Sequence, residues 1–304
     1  MRLAGARFGL VAAVMLLVSA GARGSLAEDP AGLPSRTAPL SRAAPLNRAA
    51  ECHGAGVDSV LRVPDSGAPS GVRTIWVHRP PGADSASLPV LYLLHGYPSG
   101  AAVVRSSGLG GLLDAQMCRS GRPFALVVPD GQAADGSDTE WGDAADGRFD
   151  LETFLLHTAI PLVEGRSARP ASLRAVAGLS MGGYGAAALA LRHPRVFGQA
   201  ACFGGYYRID DPDGVFADPA AHDPGRLIAD PGTRSVRFFL VEGRDEHTPL
   251  TNGSISGETE RFAALLRQHH MIVTTAHPAG GHDTATWYTE LPAAVDFLDT
   301  GWHP

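Results

Sequence analysis

The chain of 304 residues is poor in cysteine, in charge and in long apolar runs, and each shortage excludes something. Three cysteines allow one disulfide and leave one thiol over. No Cys/His spacing matches a zinc site, and the adjacent His269 and His270 cannot both face one ion from a helix. Charged residues make up 18% of the chain, with a formal net charge of −6, and no Lys/Arg-rich run follows the N-terminus. A nucleic-acid partner therefore lacks its electrostatic footprint. The N-terminal apolar run, Phe8 to Ala20, is shorter than the roughly 18 residues that a membrane-spanning helix requires, so no stable membrane anchor is expected.

That short run has another reading. Arg2 and Arg7 precede it and Ala20-Gly21-Ala22 follows it, the pattern of a secretory signal peptide over residues 1–22. Cys52 stands too far beyond the run to be a lipid-modified cysteine exposed by cleavage. Residues 23–50, rich in Ala, Pro, Arg and Ser without apolar periodicity, read as a flexible leader. A single folded domain is expected over 51–304. Export permits a disulfide. Cys202 sits in the apolar stretch Ala200-Ala201-Cys202-Phe203 and is expected to be a buried free thiol, which leaves Cys52 with Cys118 as the expected pair.

Apolar residues make up 44% of the chain, enough for a sizeable core. Strand signals fall at 60–63, 72–78, 88–94, 124–128, 173–177, 196–203, 236–241 and 272–276. The run LPVLYLL is continuously apolar, as expected of a strand buried on both faces. Helical spacing falls at 109–117, 151–163 (with Pro161 as a kink or break), after residue 180 as far as Pro194, and at 258–269 and 291–298. This alternation predicts an α/β fold with one doubly wound, mostly parallel sheet. The Asp/Pro/Gly-rich segment 210–234 is expected to cross the C-terminal edge of the sheet, where ligands bind in such folds.

Gly178-Leu179-Ser180-Met181-Gly182 is a G-x-S-x-G pattern. In a chain of this composition the pattern arises by chance about 0.3 times, so its context decides. A short strand (LRAVA) precedes it and a small-residue helix (GYGAAA) follows it. That is the strand–turn–helix setting of a nucleophile elbow, in which a tight turn lifts a serine hydroxyl clear of the backbone. A serine hydroxyl needs an adjacent base. His282, in Gly280-Gly281-His282-Asp283, follows the last predicted strand and is the best placed; His247 falls in the acid loop and His193 closes the elbow helix. The acid that holds the base should follow the strand 236–241. Glu242 lies too early, on the strand end. Asp245 has the commoner residue type and Glu246 has the offset from Gly243, so both stay open. The oxyanion of an acyl-transfer intermediate would be met by two backbone N–H groups, those of Met181 and of Tyr97 in His95-Gly96-Tyr97-Pro98-Ser99-Gly100. His95 itself reads as structural.

LYLLHGYPSG, VVPDG, LETFLLHTAIPLVE, AGLSMGGYGAAALALRHPRVF, LVEGRDE and GGHDTATW together resemble the esterase family of the α/β-hydrolases. That family includes feruloyl esterases, S-formylglutathione hydrolases and antigen 85 mycolyltransferases. The resemblance runs from about residue 60 to 298 and implies an α/β-hydrolase fold with Ser180 as nucleophile, His282 as base, and Tyr97 and Met181 as oxyanion donors. It leaves the acid open, since many relatives use Asp and the mycolyltransferases use Glu. Trp141 and Trp287 match aromatic positions near the family's active-site mouth, where they would touch substrate; a packing role is the alternative. The implied activity is hydrolysis of small or medium acyl esters through an acyl-serine, with a small-molecule ester as partner and without a metal or organic cofactor. An acyltransferase acting on the cell envelope shares every step up to the acceptor. A binding protein on the same fold would have lost triad members, and here serine, histidine and acid are all present.

Overall fold

The computed structural model describes residues 55–81, 88–165, 168–251 and 253–302. The expected signal segment, the leader and Cys52 lie outside the described residues. Cys118 is disulfide-bonded, while Cys202 is a buried free thiol whose pKa burial pushes up.

Ten strands are described: β1 (Val57–Pro64), β2 (Val72–Arg79), β3 (Val90–Leu94), β4 (Ala125–Pro129), β5 (Arg174–Leu179), β6 (Gln199–Phe203), β7 (Arg237–Val241), the two-residue β8 (Pro249–Leu250) and β9 (Gly253–Ser254), and β10 (Val273–Ala276). Eight of them form one sheet in the order β1-β2-β4-β3-β5-β6-β7-β10. β1 and β2 pair antiparallel, as do β2 and β4, and every later pairing is parallel. The expected doubly wound sheet is present, with an antiparallel edge.

The continuous apolar runs are explained by two cores. Val90, Tyr92 and Leu94 of β3 enter one core, with Val127, Val176, Ala200 and Phe238 from the neighbouring strands. Leu91 and Leu93 enter the opposite core, with Leu126, Ala177, Ala201 and Phe239. Because side chains alternate across a strand, a strand covered on both faces has no polar side to show. α1 (Ala101–Ser106), α2 (Leu109–Ser120) and α9 (Leu291–Asp299) cover the second core through Val104, Leu113, Met117, Val295 and Leu298. α3 (Leu151–Phe154), α4 (Ile160–Glu164), α5 (Met181–Arg192) and α7 (Glu258–Gln268) cover the first through Phe154, Ile160, Leu189, Phe262 and Leu266.

The break expected at Pro161 takes the form of a π turn over Leu155–Ala159 that joins α3 to α4. The wider turn lets a residue without an N–H sit at the start of the next helical register. One expectation needs correction as to its start. The strand expected from 196 begins at Gln199, because the N–H groups of Val196 and Phe197 both turn back to the His193 carbonyl at the end of α5.

The segment 210–234 packs as short helical turns, including α6 (Pro224–Leu227). Each begins with Asp-Pro: the Asp218, Asp223 and Asp230 carboxylates accept from the N–H groups of Ala220, Arg226 and Gly232 at 3.2, 3.2 and 2.8 Å. Proline at the first helical position gives up an N–H that has no partner there. The segment lies against the first turn of α5, where the Tyr184 hydroxyl donates to the His222 carbonyl at 2.8 Å.

Candidate active site

The parallel strands bring several connections to one edge of the sheet. The loop after β3, the turn after β5, the loop after β7 and the loop between β10 and α8 (Thr284–Tyr288) all leave from C-terminal strand ends, the edge where such folds bind ligands.

Ser180 occupies the turn between β5 and α5 with φ 56° and ψ −119°, a conformation that L-residues avoid. The flanking glycines make this turn feasible. A Cβ at Gly178 would lie 1.8 Å from the Gly182 carbonyl oxygen, and one at Gly182 would lie 2.1 Å from the Leu94 carbonyl oxygen. The strain is held by hydrogen bonds from Ser180 N–H to the Phe203 carbonyl and from the Gly183 and Tyr184 N–H groups to the Ser180 carbonyl. Such strain, held by its surroundings, is typical of functional turns.

The Ser180 hydroxyl lies 2.7 Å from His282 Nε2. Nδ1 of the same ring is hydrogen-bonded to Glu246 Oε1. Glu246 is buried, and its Oε2 accepts from the Gly243 N–H at 2.7 Å. Asp245, the other acid left open by the sequence, is exposed and contributes its backbone: its N–H donates to the Gly280 carbonyl at 2.9 Å, tying the acid loop to the histidine loop. Glu242 is engaged elsewhere, its two oxygens accepting from Gly257 and Thr259 N–H at 2.6 and 2.9 Å at the start of α7. His193 pairs with Glu152, and His247 is exposed.

Met181 opens α5, where the helix dipole is positive and the first N–H groups have no intrahelical acceptor. Gly96 lies against the elbow, since a Cβ there would come 3.0 Å from Ser180 Cβ. Among the described residues no acceptor takes the N–H of Tyr97 or of Met181. Beside these two residues is an open pocket, lined also by His95, Pro98, Gln132, Ala133 and Thr139. The Tyr97 hydroxyl spans it to the Gly136 carbonyl at 3.1 Å.

Neither tryptophan lines that pocket. Trp141 is buried and donates from Nε1 to the His95 carbonyl at 3.0 Å. Trp287 is buried with its ring edge-on to His282, centroids 4.8 Å apart. Of the two roles left open for them, the buried rings fill the packing one: one indole supports the loop after β3, the other backs the histidine. Among the described residues no cluster of His, Cys, Asp or Glu is arranged to hold a metal, and no helix is long and apolar enough to cross a membrane.

An acidic pair beside the site, buried Glu140 and half-buried Asp138, escaped the sequence reading. Both Glu140 oxygens hydrogen-bond the Tyr206 hydroxyl, at 2.7 and 2.6 Å. Burial, with Asp138 close by, raises the Glu140 pKa well above the usual carboxylate range. Burial and the charges of Asp213, Asp210 and Asp211, opposed by a hydrogen bond from the Glu140 backbone, push Asp138 up to about 7. No motif marks these residues; only the folded contact between two distant loops does.

A family model described as "Putative esterase" matches residues 66–298. Over 206 residues the chain is 33% identical to an endo-1,4-beta-xylanase/feruloyl esterase of Xylanibacter ruminicola; the match covers 66% of this chain and 24% of that protein. Among solved structures, a ferulic acid esterase superposes with a TM-score of 0.67 at 23% identity, covering 82% of this chain and 99% of the other. An S-formylglutathione hydrolase from Agrobacterium tumefaciens gives 0.67 at 18% identity over 82% and 96%. MPT51 of Mycobacterium tuberculosis gives 0.59 at 20% identity over 80% and 99%. These structural likenesses establish the α/β-hydrolase fold.

Proposed function

Since the chain belongs to this esterase family, we propose that it is an exported serine hydrolase that cleaves small or medium carboxylic esters through an acyl-enzyme on Ser180. The observation that carries the reading is the unbroken path of hydrogen bonds from the Ser180 hydroxyl through His282 to the buried Glu246.

In this mechanism His282 Nε2 takes the hydroxyl proton as Ser180 Oγ attacks the ester carbonyl. Glu246 keeps the ring's other proton on Nδ1 and stabilises the imidazolium. The carbonyl oxygen, now carrying the negative charge, is met by the N–H groups of Tyr97 and Met181 and by the positive end of α5. Collapse of the tetrahedral intermediate breaks the bond to the alkoxy oxygen, which leaves as alcohol with the proton from His282. Water, deprotonated by the same imidazole, then attacks the acyl-serine, and its collapse releases the carboxylic acid and restores Ser180.

The pocket beside Tyr97 and Met181 favours the acyl group as its occupant. It touches the oxyanion donors but not His282, and the leaving alcohol must lie at His282. The polar 210–234 segment offers no apolar lid, which supports short acyl chains. Export rests on the N-terminal pattern of Arg2, Arg7 and the apolar run to Ala20. A series of p-nitrophenyl esters, with and without an added alcohol, tests substrate and acceptor together. Acetate and butyrate should be hydrolysed faster than laurate, with free acid as the main product. A preference for laurate, or a product mixture dominated by the new ester, would contradict the reading.

A further inference from the structure

His95 is fully buried and lies outside the Ser180–His282–Glu246 path, yet both its ring nitrogens are engaged. Nε2 lies 2.7 Å from the Gly131 backbone nitrogen, and Nδ1 lies 3.0 Å from the Gly96 carbonyl oxygen. A backbone N–H can only donate and a carbonyl can only accept. The partners therefore fix the tautomer: Nε2 accepts from Gly131, and Nδ1–H donates to Gly96. The Asp130 carboxylate stands 3.6 Å from Nε2, beyond hydrogen-bonding distance.

The Gly96 carbonyl receives a second hydrogen bond, from the Ser99 N–H at 2.9 Å. Across a trans peptide the C=O and the following N–H point in opposite directions. Holding the Gly96 oxygen from two sides thus fixes the direction of the Tyr97 N–H, and it also polarises that amide, because hydrogen bonds in a chain strengthen one another. The preceding peptide is held as well, by Trp141 Nε1 donating to the His95 carbonyl at 3.0 Å. The ring of Trp141 packs edge-on against His95 with centroids 5.1 Å apart.

We infer that His95 is a positioning residue for ester hydrolysis: its Nδ1–H clamps the Gly96 carbonyl so that the Tyr97 N–H is aimed and strengthened for the oxyanion. The inference rests on the acyl-serine reading above. It assigns His95 no proton transfer. Its effect appears only when charge develops on the carbonyl oxygen, so it belongs to kcat rather than to ground-state binding.

Two replacements separate the ring nitrogens. Asparagine places an amide N–H near the position of Nδ1 and can restore the clamp on Gly96. Glutamine reaches toward the Nε2 position and serves Gly131 instead. The assay is p-nitrophenyl acetate hydrolysis by wild type, His95→Asn, His95→Gln and Ser180→Ala, with inhibition by an aryl trifluoromethyl ketone as the tetrahedral mimic. His95→Gln should lower kcat about 10- to 100-fold, below the full loss of a donor. Its KM should stay near that of wild type, and the ketone should weaken by the same factor as kcat. His95→Asn should recover most of the loss. The inference is overturned if His95→Gln keeps wild-type kcat and ketone affinity. It is equally overturned if both variants lose activity alike together with thermal stability, which is the pattern of a packing residue. Loss of activity in Ser180→Ala beside an unimpaired His95→Gln removes this inference alone. Retained activity in Ser180→Ala removes it together with the acyl-serine reading.

Discussion

A carboxylate serves a catalytic imidazole only when it reaches Nδ1 and has its remaining lone pairs satisfied. Glu246 meets both conditions, through His282 and the Gly243 N–H. Asp245 points to solvent and holds its neighbours through its main chain. Replacing Glu246 by Gln offers the ring an amide where a charge stood, which admits the wrong tautomer, and kcat should fall about 10³- to 10⁴-fold. Asp245→Asn should stay within about twofold of wild type, as exposed substitutions usually do. Steady-state rates on one short ester decide between the two residues, and the reverse ranking would refute the assignment. Residue type could not have chosen between these neighbours. A turn closed by Glu246 N–H on the Gly243 carbonyl decides which side chain faces inward, and that turn depends on the histidine loop packed beside it. Ser180 was legible because the demands of its turn are local: two glycines, a strand before and a helix after. The two tryptophans stayed open between substrate contact and packing because an aromatic residue near a site in sequence can lie behind it as readily as in front.

The acidic group is a property of two loops meeting, one between β4 and α3 and the other after β6. Asp138 N–H donates to Asp213 Oδ2 at 2.8 Å, and Tyr206, stacked on Tyr184 of α5 with centroids 5.1 Å apart, holds Glu140. Glu140 and Trp141 adopt φ 49° and 53° in succession without a glycine, a bend that no sequence signal announces. The pKa of Asp138 is raised in the folded protein from 3.8 to about 7. A group raised in this way binds its proton more tightly when folded, so its contribution to stability is complete below about 3.8 and is lost as pH rises through about 7. Asp138→Asn should therefore gain on wild type in urea midpoint between pH 4.5 and pH 8, because asparagine never acquires the charge. An unchanged difference across that range would show that Asp138 ionises freely. Other elements were plainer in the sequence: the Asp-Pro starts of the turns in 210–234 are caps with a local mechanism. The π turn before Pro161 was not, because a proline states only that a regular turn is impossible, not how the helix answers.

For the whole molecule, the doubly wound sheet converts a dispersed order in the chain into one site. Ser180, Glu246 and His282 are separated by as many as 102 positions, yet each follows a strand whose C-terminal end lies on the same edge. The fold was readable because parallel strands buried on both faces leave unbroken apolar runs, and the helices between them carry their own period. The central claim is that this assembly makes Ser180 a nucleophile, and covalent labelling with a fluorophosphonate, read by intact mass, tests it most directly. Wild type should gain one phosphonyl group per chain at Ser180, and Ser180→Ala should gain none. Equal labelling of the two proteins would contradict the account.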